Sequence, residues 1–169
     1  GERERVERRI ELDVRGALTQ LAAARAREEA GRAALRQARE SQRIIRDRYE
    51  GGLATVTDVL QRMRELAVQS ANATNGTSDR ANLDAEYTEL AAEIGRTLTS
   101  TKFNGQAILA ADSGAKVFQV GANNGETVTI TTTNMSTNAG ITAVTGGGVD
   151  TLAAANTALT NIDTALDTV

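Results

Sequence analysis

Glu50-Gly51-Gly52-Leu53-Ala54-Thr55-Val56-Thr57-Asp58-Val59-Leu60 can be read in two ways, and the two give different molecules. Upstream, residues 2–49 carry no Pro and only two Gly, at 16 and 31, and read as one long helix. Ile10, Ala17, Ala24, Gly31, Ala38 and Ile45 repeat every seven residues. Val14, Leu21, Leu35 and Tyr49 form a second heptad row, interrupted by Glu28 and Gln42. Alternate spacings of four and three mark a coiled-coil seam. The Ala and Gly row leaves room for a partner helix to come close. If Gly51-Gly52 adopts the left-handed conformation that closes a helix, Thr55 becomes the N-cap of a second helix, with Asp58 in the capping-box position. The chain is then a helical hairpin. Isolated glycines do not always break a helix, so a kinked but continuous helix is the alternative.

Downstream of that junction, Val56, Val59, Met63, Leu66 and Ser70 fall on one stripe of a helix over about 55–72. Asn72-Ala73-Thr74-Asn75-Gly76 is a cluster of turn formers. Ser78 or Asp79 is placed to cap a further helix over about 79–99, with the stripe Leu83, Tyr87, Leu90, Ile94 and Leu98. Phe103-Asn104-Gly105 marks a turn, after which the period changes. Val117–Val120 and Thr127–Thr132 are short β-prone runs separated by Asn123-Asn124-Gly125, a hairpin signal. Residues 133–149 are rich in Thr, Asn, Ser and Gly and read as a loop. A last helix begins near Asp150 or Thr151, with the stripe Leu152, Ala155, Leu159, Ile162, Leu166 and Val169. The fold class expected is mainly α: a long coiled-coil helical hairpin over 1–59, joined to a helical rod with a small β-hairpin region over 60–169.

Composition narrows the function. The 169 residues contain no Cys and no His. Disulfides and Ser–His or Cys–His nucleophile pairs are therefore excluded. An aromatic content of 2% argues against a sugar-stacking cleft. No spacing of Asp, Glu, Lys or Tyr suggests a catalytic site, so no enzyme, cofactor or metal is expected. The net charge of −3 hides a division: residues 1–50 hold 13 Arg and 10 acidic residues (+3), leaving 6 basic and 12 acidic residues (−6) for 51–169. Charges of both signs are interleaved in the first part, unlike the basic stripe of a nucleic-acid binder. No apolar run approaches the ~20 residues that span a bilayer, and no signal peptide is visible.

Two stretches resemble known families. Arg48-Tyr49-Glu50-Gly51-Gly52-Leu53-Ala54-Thr55-Val56-Thr57-Asp58-Val59-Leu60 resembles the periplasmic tip turn of TolC-family outer-membrane efflux proteins, and the Arg/Ala/Leu-rich helix before it looks like that family too. Leu60-Gln61-Arg62-Met63-Arg64-Glu65-Leu66-Ala67-Val68-Gln69-Ser70-Ala71-Asn72 is similar to the signature helix of bacterial flagellins. That second resemblance continues through Asn75-Gly76-Thr77, Phe103-Asn104-Gly105, the run from Gln119 to Thr127, and Ala158–Leu166. Together they imply a chimera: an efflux-channel tip over about 1–60, presented on a flagellin D1-type rod over about 57–169.

Each resemblance implies its own site. The efflux resemblance implies docking to the hairpin tip of a periplasmic adaptor (membrane-fusion) protein of a tripartite transport pump, through Tyr49, Gly51, Gly52, Leu53, Ala54, Thr55 and Asp58. The plain reading of the same residues is a helix stop at the glycines and a cap at Asp58. The flagellin resemblance implies a face for Toll-like receptor 5 made by Arg62, Leu66, Gln69 and Glu86. Arg62, Leu66 and Gln69 are spaced four and three apart and share a helix side. Leu66 also lies on the apolar stripe, so the two uses compete for it. A trimmed flagellin acting as a receptor ligand, with the N-terminal helix as stabiliser, is the alternative to the chimera.

The flagellin ends used in polymerisation, the bulky outer domains, and the strands of an efflux barrel have no counterpart in this sequence. The expectation is that the chain alone neither builds a filament nor conducts a solute. The parent proteins imply outer-membrane and periplasmic locations for one part and an extracellular filament for the other. A hairpin would leave about 30 residues of the N-terminal seam without a partner on the shorter returning helix. Cover by the rod itself is expected there, with a weak antiparallel homodimer as the alternative.

Overall fold

The computed structural model describes residues 1–121 and 123–169; Ala122, inside the Gln119–Thr127 motif, lies outside the described residues. The fold is mainly helical, with 68% of the chain in four helices among the described residues. In chain order the elements are α1 (Glu2–Ser70), α2 (Thr77–Ser100), β1 (Lys102–Phe103), β2 (Gln106–Ala107), β3 (Gly114–Gln119), β4 (Thr127–Thr132), α3 (Ala139–Thr145) and α4 (Leu152–Leu166). The chain divides into two compact units: residues 1–42 with 117–129, and residues 43–116 with 130–169.

α1 runs unbroken through Gly51-Gly52, so the expected hairpin is not formed. Neither glycine has a positive φ. The hydroxyl of Thr55 donates to the carbonyl of Gly51 at 3.0 Å, and that of Thr57 to the carbonyl of Leu53 at 3.0 Å. Thr55 is thus bonded backwards within the helix and does not cap a new one. Two glycines cost a helix about 1 kcal/mol each relative to Ala, less than the packing of the surrounding stripe returns. They also differ from each other. A Cβ on Gly51 would meet only open space, whereas one on Gly52 would lie 2.5 Å from Leu109 Cδ1 and 2.9 Å from Thr101 Oγ1. Gly52 is a packing glycine.

In the second unit, Val56, Val59, Leu60, Met63, Leu66 and Ala67 of α1 join Tyr87, Leu90, Ala91, Ile94 and Leu98 of α2 in one core with Ala155, Ala158, Ile162 and Ala165 of α4. The stripes on the first two helices face inward as their spacing predicts. α2 starts two residues before the expected range, with Gly76 as N-cap in place of Ser78 or Asp79; the Asp79 carboxylate accepts from the Gly76 N–H at 3.1 Å. β1 and β2 pair antiparallel, Lys102 opposite Ala107, around Asn104 and Gly105, both at positive φ as a two-residue hairpin turn requires.

Residues 133–149, expected as a loop, contain α3. The Asn138 side chain caps it, accepting from Gly140 and Ile141 N–H at 2.9 and 3.2 Å. Gly140 is buried, and a Cβ there would sit 3.1 Å from the Ala165 backbone. This close approach turns α4 so that Ala155, Ala158, Ile162 and Ala165 are buried, while Leu152 of the expected stripe is exposed and Leu159 and Leu166 are half-buried. On the outer side of α4 the hydroxyls of Thr157, Thr160 and Thr164 donate back to the carbonyls of Ala153, Asn156 and Thr160.

In the first unit, the N-terminal part of α1 is rich in Ala, Arg and Glu, all good helix formers. Exposed i,i+4 ion pairs join Glu11 to Arg15 at 2.5 Å and Glu28 to Arg32 at 2.6 Å. Val6, Ile10, Val14, Leu18 and Leu21 are 53, 56, 52, 60 and 48% exposed. The β3–β4 hairpin turns at Gly125, φ +90°, where the Glu126 carboxylate accepts from the side chain and backbone N–H of Asn123 at 2.8 and 3.0 Å. Those bonds, the side-chain one first, lower the Glu126 pKa.

The two junction glycines therefore respond oppositely to substitution. Gly51→Ala is expected to raise the unfolding free energy by about 0.5–1 kcal/mol through helix propensity alone. Gly52→Val is expected to lower it by about 1–3 kcal/mol through overpacking against Leu109 and Thr101. Urea denaturation of the two variants beside the parent chain measures both.

Candidate interaction face

A 3.6-residue period that buries Met63, Leu66, Ala67 and Ser70 turns Gln61, Arg62, Arg64, Glu65, Val68 and Gln69 outward. The four residues expected on a receptor face separate accordingly. Arg62 and Gln69 are exposed on α1, and Glu86 is exposed on α2. Leu66 is only 8% exposed and belongs to the core. Its competition between core and surface is resolved inward, so it shapes the face from beneath.

Gln69 and Glu86 come together along one open groove of about 350 Å³, lined also by Asn75, Asp79, Asn82 and Leu83. Gln69 also borders a second groove of about 360 Å³, with Gln61, Arg64, Glu65 and Val68. Val68 was not singled out in the sequence, yet it is 54% exposed among charged and amide groups. The signal was present: Val68 is apolar but lies off the 63–66–67–70 stripe. Arg64 Nε donates to Asp163 Oδ1 at 3.1 Å, tying α1 to α4; both side chains are about half exposed, so the pair contributes little stability.

The groove depends on how α1 ends. Arg80 on α2 donates to the carbonyls of Ser70, Asn72 and Asn75, the last two at 3.3 and 3.2 Å. A guanidinium satisfying terminal carbonyls is favourable both as hydrogen bonding and against the helix dipole. Asn75 Nδ2 adds a bond to the Gln69 carbonyl at 2.5 Å, and Asn72 Oδ1 closes a small turn by accepting from Thr74 N–H at 3.1 Å. The Ser70 hydroxyl, buried, donates to the Val149 carbonyl at 2.5 Å. On the other side of that segment the Asp84 carboxylate accepts from Val149 N–H at 2.7 Å, and a Cβ at Gly148 would collide with it. Next to it, Tyr87 is fully buried and donates to the Val144 carbonyl at 3.2 Å. Burial, with the nearby Asp84 charge, pushes its pKa up to about 12.

The residues expected to form a docking tip are not gathered at a turn. Tyr49 is half-buried, its hydroxyl accepting from Thr133 N–H at 3.4 Å. Gly52 is buried, and Leu53 packs against the core. Gly51, Ala54, Thr55 and Asp58 are exposed along a continuous helix. No exposed Gly-rich loop exists there to intermesh with a partner's hairpin. Among the described residues no group of three or more His, Cys, Asp or Glu is placed to hold a metal, and no helix is long and apolar enough to cross a membrane.

Residues 20–115 match the model of the bacterial flagellin N-terminal helical region. The bounds of that match take in 48–60, the stretch that resembles an efflux tip, and the efflux-channel resemblance gains no support. The chain is 52% identical over 81 residues to a flagellin of Salmonella paratyphi A, covering 48% of this chain and 16% of that protein. It is 44% identical over 79 residues to the polar flagellin B/D of Vibrio parahaemolyticus, covering 47% of this chain and 21% of that protein. The crystal structure of Bacillus cereus flagellin superposes with a TM-score of 0.64 at 28% identity, over 79% of this chain and 76% of that one. The chain spans only 16–21% of the length of these curated relatives.

Two outcomes follow from this geometry. Arg80→Met should cost about 1–2 kcal/mol and speed amide exchange over 69–79, because three carbonyls lose a charged donor. An acid whose folded pKa is raised holds its proton more tightly when folded. The contribution of Tyr87 is thus complete below pH 10 and is lost as pH rises through about 12. Urea midpoints of the parent chain should fall over that window more than those of Tyr87→Phe.

Proposed function

The chain belongs to the bacterial flagellin family, and we propose that it is the helical module of a flagellar-filament subunit, structural rather than enzymatic, whose exposed α1–α2 face is read by Toll-like receptor 5. The family match over residues 20–115 carries the filament part. The receptor part rests on Gln69 and Glu86 lining one groove, with Arg62 exposed on the same helix as Gln69. An exposed Arg is among the residue types enriched at recognition hot spots. The filament reading implies an extracellular location. Docking to an efflux adaptor is not carried forward, since it needs a turn at Gly51-Gly52 where α1 is continuous.

The test is a reporter assay in cells bearing the receptor, with circular dichroism as a control for folding. Arg62→Ala combined with Gln69→Ala and Glu86→Ala should raise the half-maximal dose at least about tenfold, as loss of a hot-spot group does, with an unchanged helix signal. Equal potency of the triple variant would remove the receptor part of the proposal.

A further inference from the structure

We propose that residues 4–34 of α1 pair with the same segment of a second copy of this chain, antiparallel, about a twofold axis near residue 19. The exposed seam of Val14, Ala17, Leu21 and Ala24 is the apolar half of the argument. The charges beside it choose the partner. In heptad terms Glu4, Glu11, Leu18, Arg25 and Arg32 form one flank, and Val6, Asp13, Gln20, Arg27 and Ala34 the other. Each flank is acidic or apolar at its start and basic or small at its end. Such a helix is complementary to itself only when reversed.

The register follows from the same residues. In an antiparallel pair like flanks face each other, and core layers join one row to the other. Placing Val14 against Ala24 and Ala17 against Leu21 of the second copy puts a large side chain against a small one in each central layer. The same register brings Glu4 to Arg32, Glu11 to Arg25 and Asp13 to Arg27, each occurring twice by symmetry, and sets Leu18 against its own copy. Gly31, beside which a Cβ would meet nothing, falls opposite Glu7 and leaves it room. A parallel pair gains none of these contacts. It would set Arg27 against Arg32 and Asp13 against Leu18. Charge complementarity therefore selects an antiparallel copy of this chain as the occupant.

Sedimentation equilibrium of the full chain over a concentration series should show a monomer–dimer equilibrium. Arg25→Glu with Arg27→Glu and Arg32→Glu should weaken it at least about tenfold by turning attractions into repulsions. Mixing that variant with Glu4→Arg, Glu11→Arg and Asp13→Arg should restore it. Leu12→Glu, on the opposite side of the helix, should leave it unchanged. For orientation, Val14→Cys and Ala24→Cys chains should cross-link on mild oxidation when mixed and not when alone. A monomer at every concentration would overturn the proposal, and so would cross-linking of Val14→Cys chains with themselves, which reports a parallel pair.

Discussion

The stripe of α1 from Val56 to Ala67 is the surface on which the helical unit is built. α2 and α4 contribute to the same core as this stripe. Six of its side chains are less than a tenth exposed, and at roughly 1.5–3 kcal/mol per large apolar side chain their burial outweighs every polar contact described above. Continuity of α1 through Gly51-Gly52 follows from that balance. A turn at the glycines would reset the phase of the helix. Gly52 would then lose its place against Leu109 and Thr101, and Tyr49 its bond to the Thr133 N–H.

The polar contacts have a different part, that of fixing positions. Arg80 gathers the end of α1, and Asp84 and Ser70 hold Val149 from two sides. Tyr87 secures the end of α3 through the Val144 carbonyl. Each joins residues that are distant in the chain or closes a helix end. The exposed Arg62, Gln69 and Glu86 are carried on helices whose rotation about their axes is set by the core.

Much of this was legible in the sequence where the signal is periodic and local. The stripes at 56–59–63–66–70 and 83–87–90–94–98, the Asn104-Gly105 turn and the 117–132 hairpin follow from spacing and turn chemistry alone. What was not legible depends on distant partners. Whether Gly51 and Gly52 stop a helix or let another segment approach is decided by Leu109 and Thr101, some fifty residues on. α3 hides in a Gly- and Thr-rich run because its seven residues are held by the Asn138 cap and by contact with Ala165, not by propensity. The rotation of α4 has the same origin. On the candidate face, the spacing of Arg62 and Gln69 was visible, but the inward turn of Leu66, the groove shared with Glu86 and the prominence of Val68 need the packed helices.

The threonines of α4 bear on how the unit meets water. Over Leu152–Leu166 the helix carries a single charged side chain, Asp163, and that is engaged by Arg64. The hydroxyl protons of Thr157, Thr160 and Thr164 are already committed to the helix's own carbonyls. Such hydroxyls meet water as acceptors, through the lone pairs left on their oxygens. The exposed Asn156 and threonine oxygens still need partners wherever water is removed. The outer side of α4 is therefore polar without being ionic, and the exposed Leu152 stands at its start.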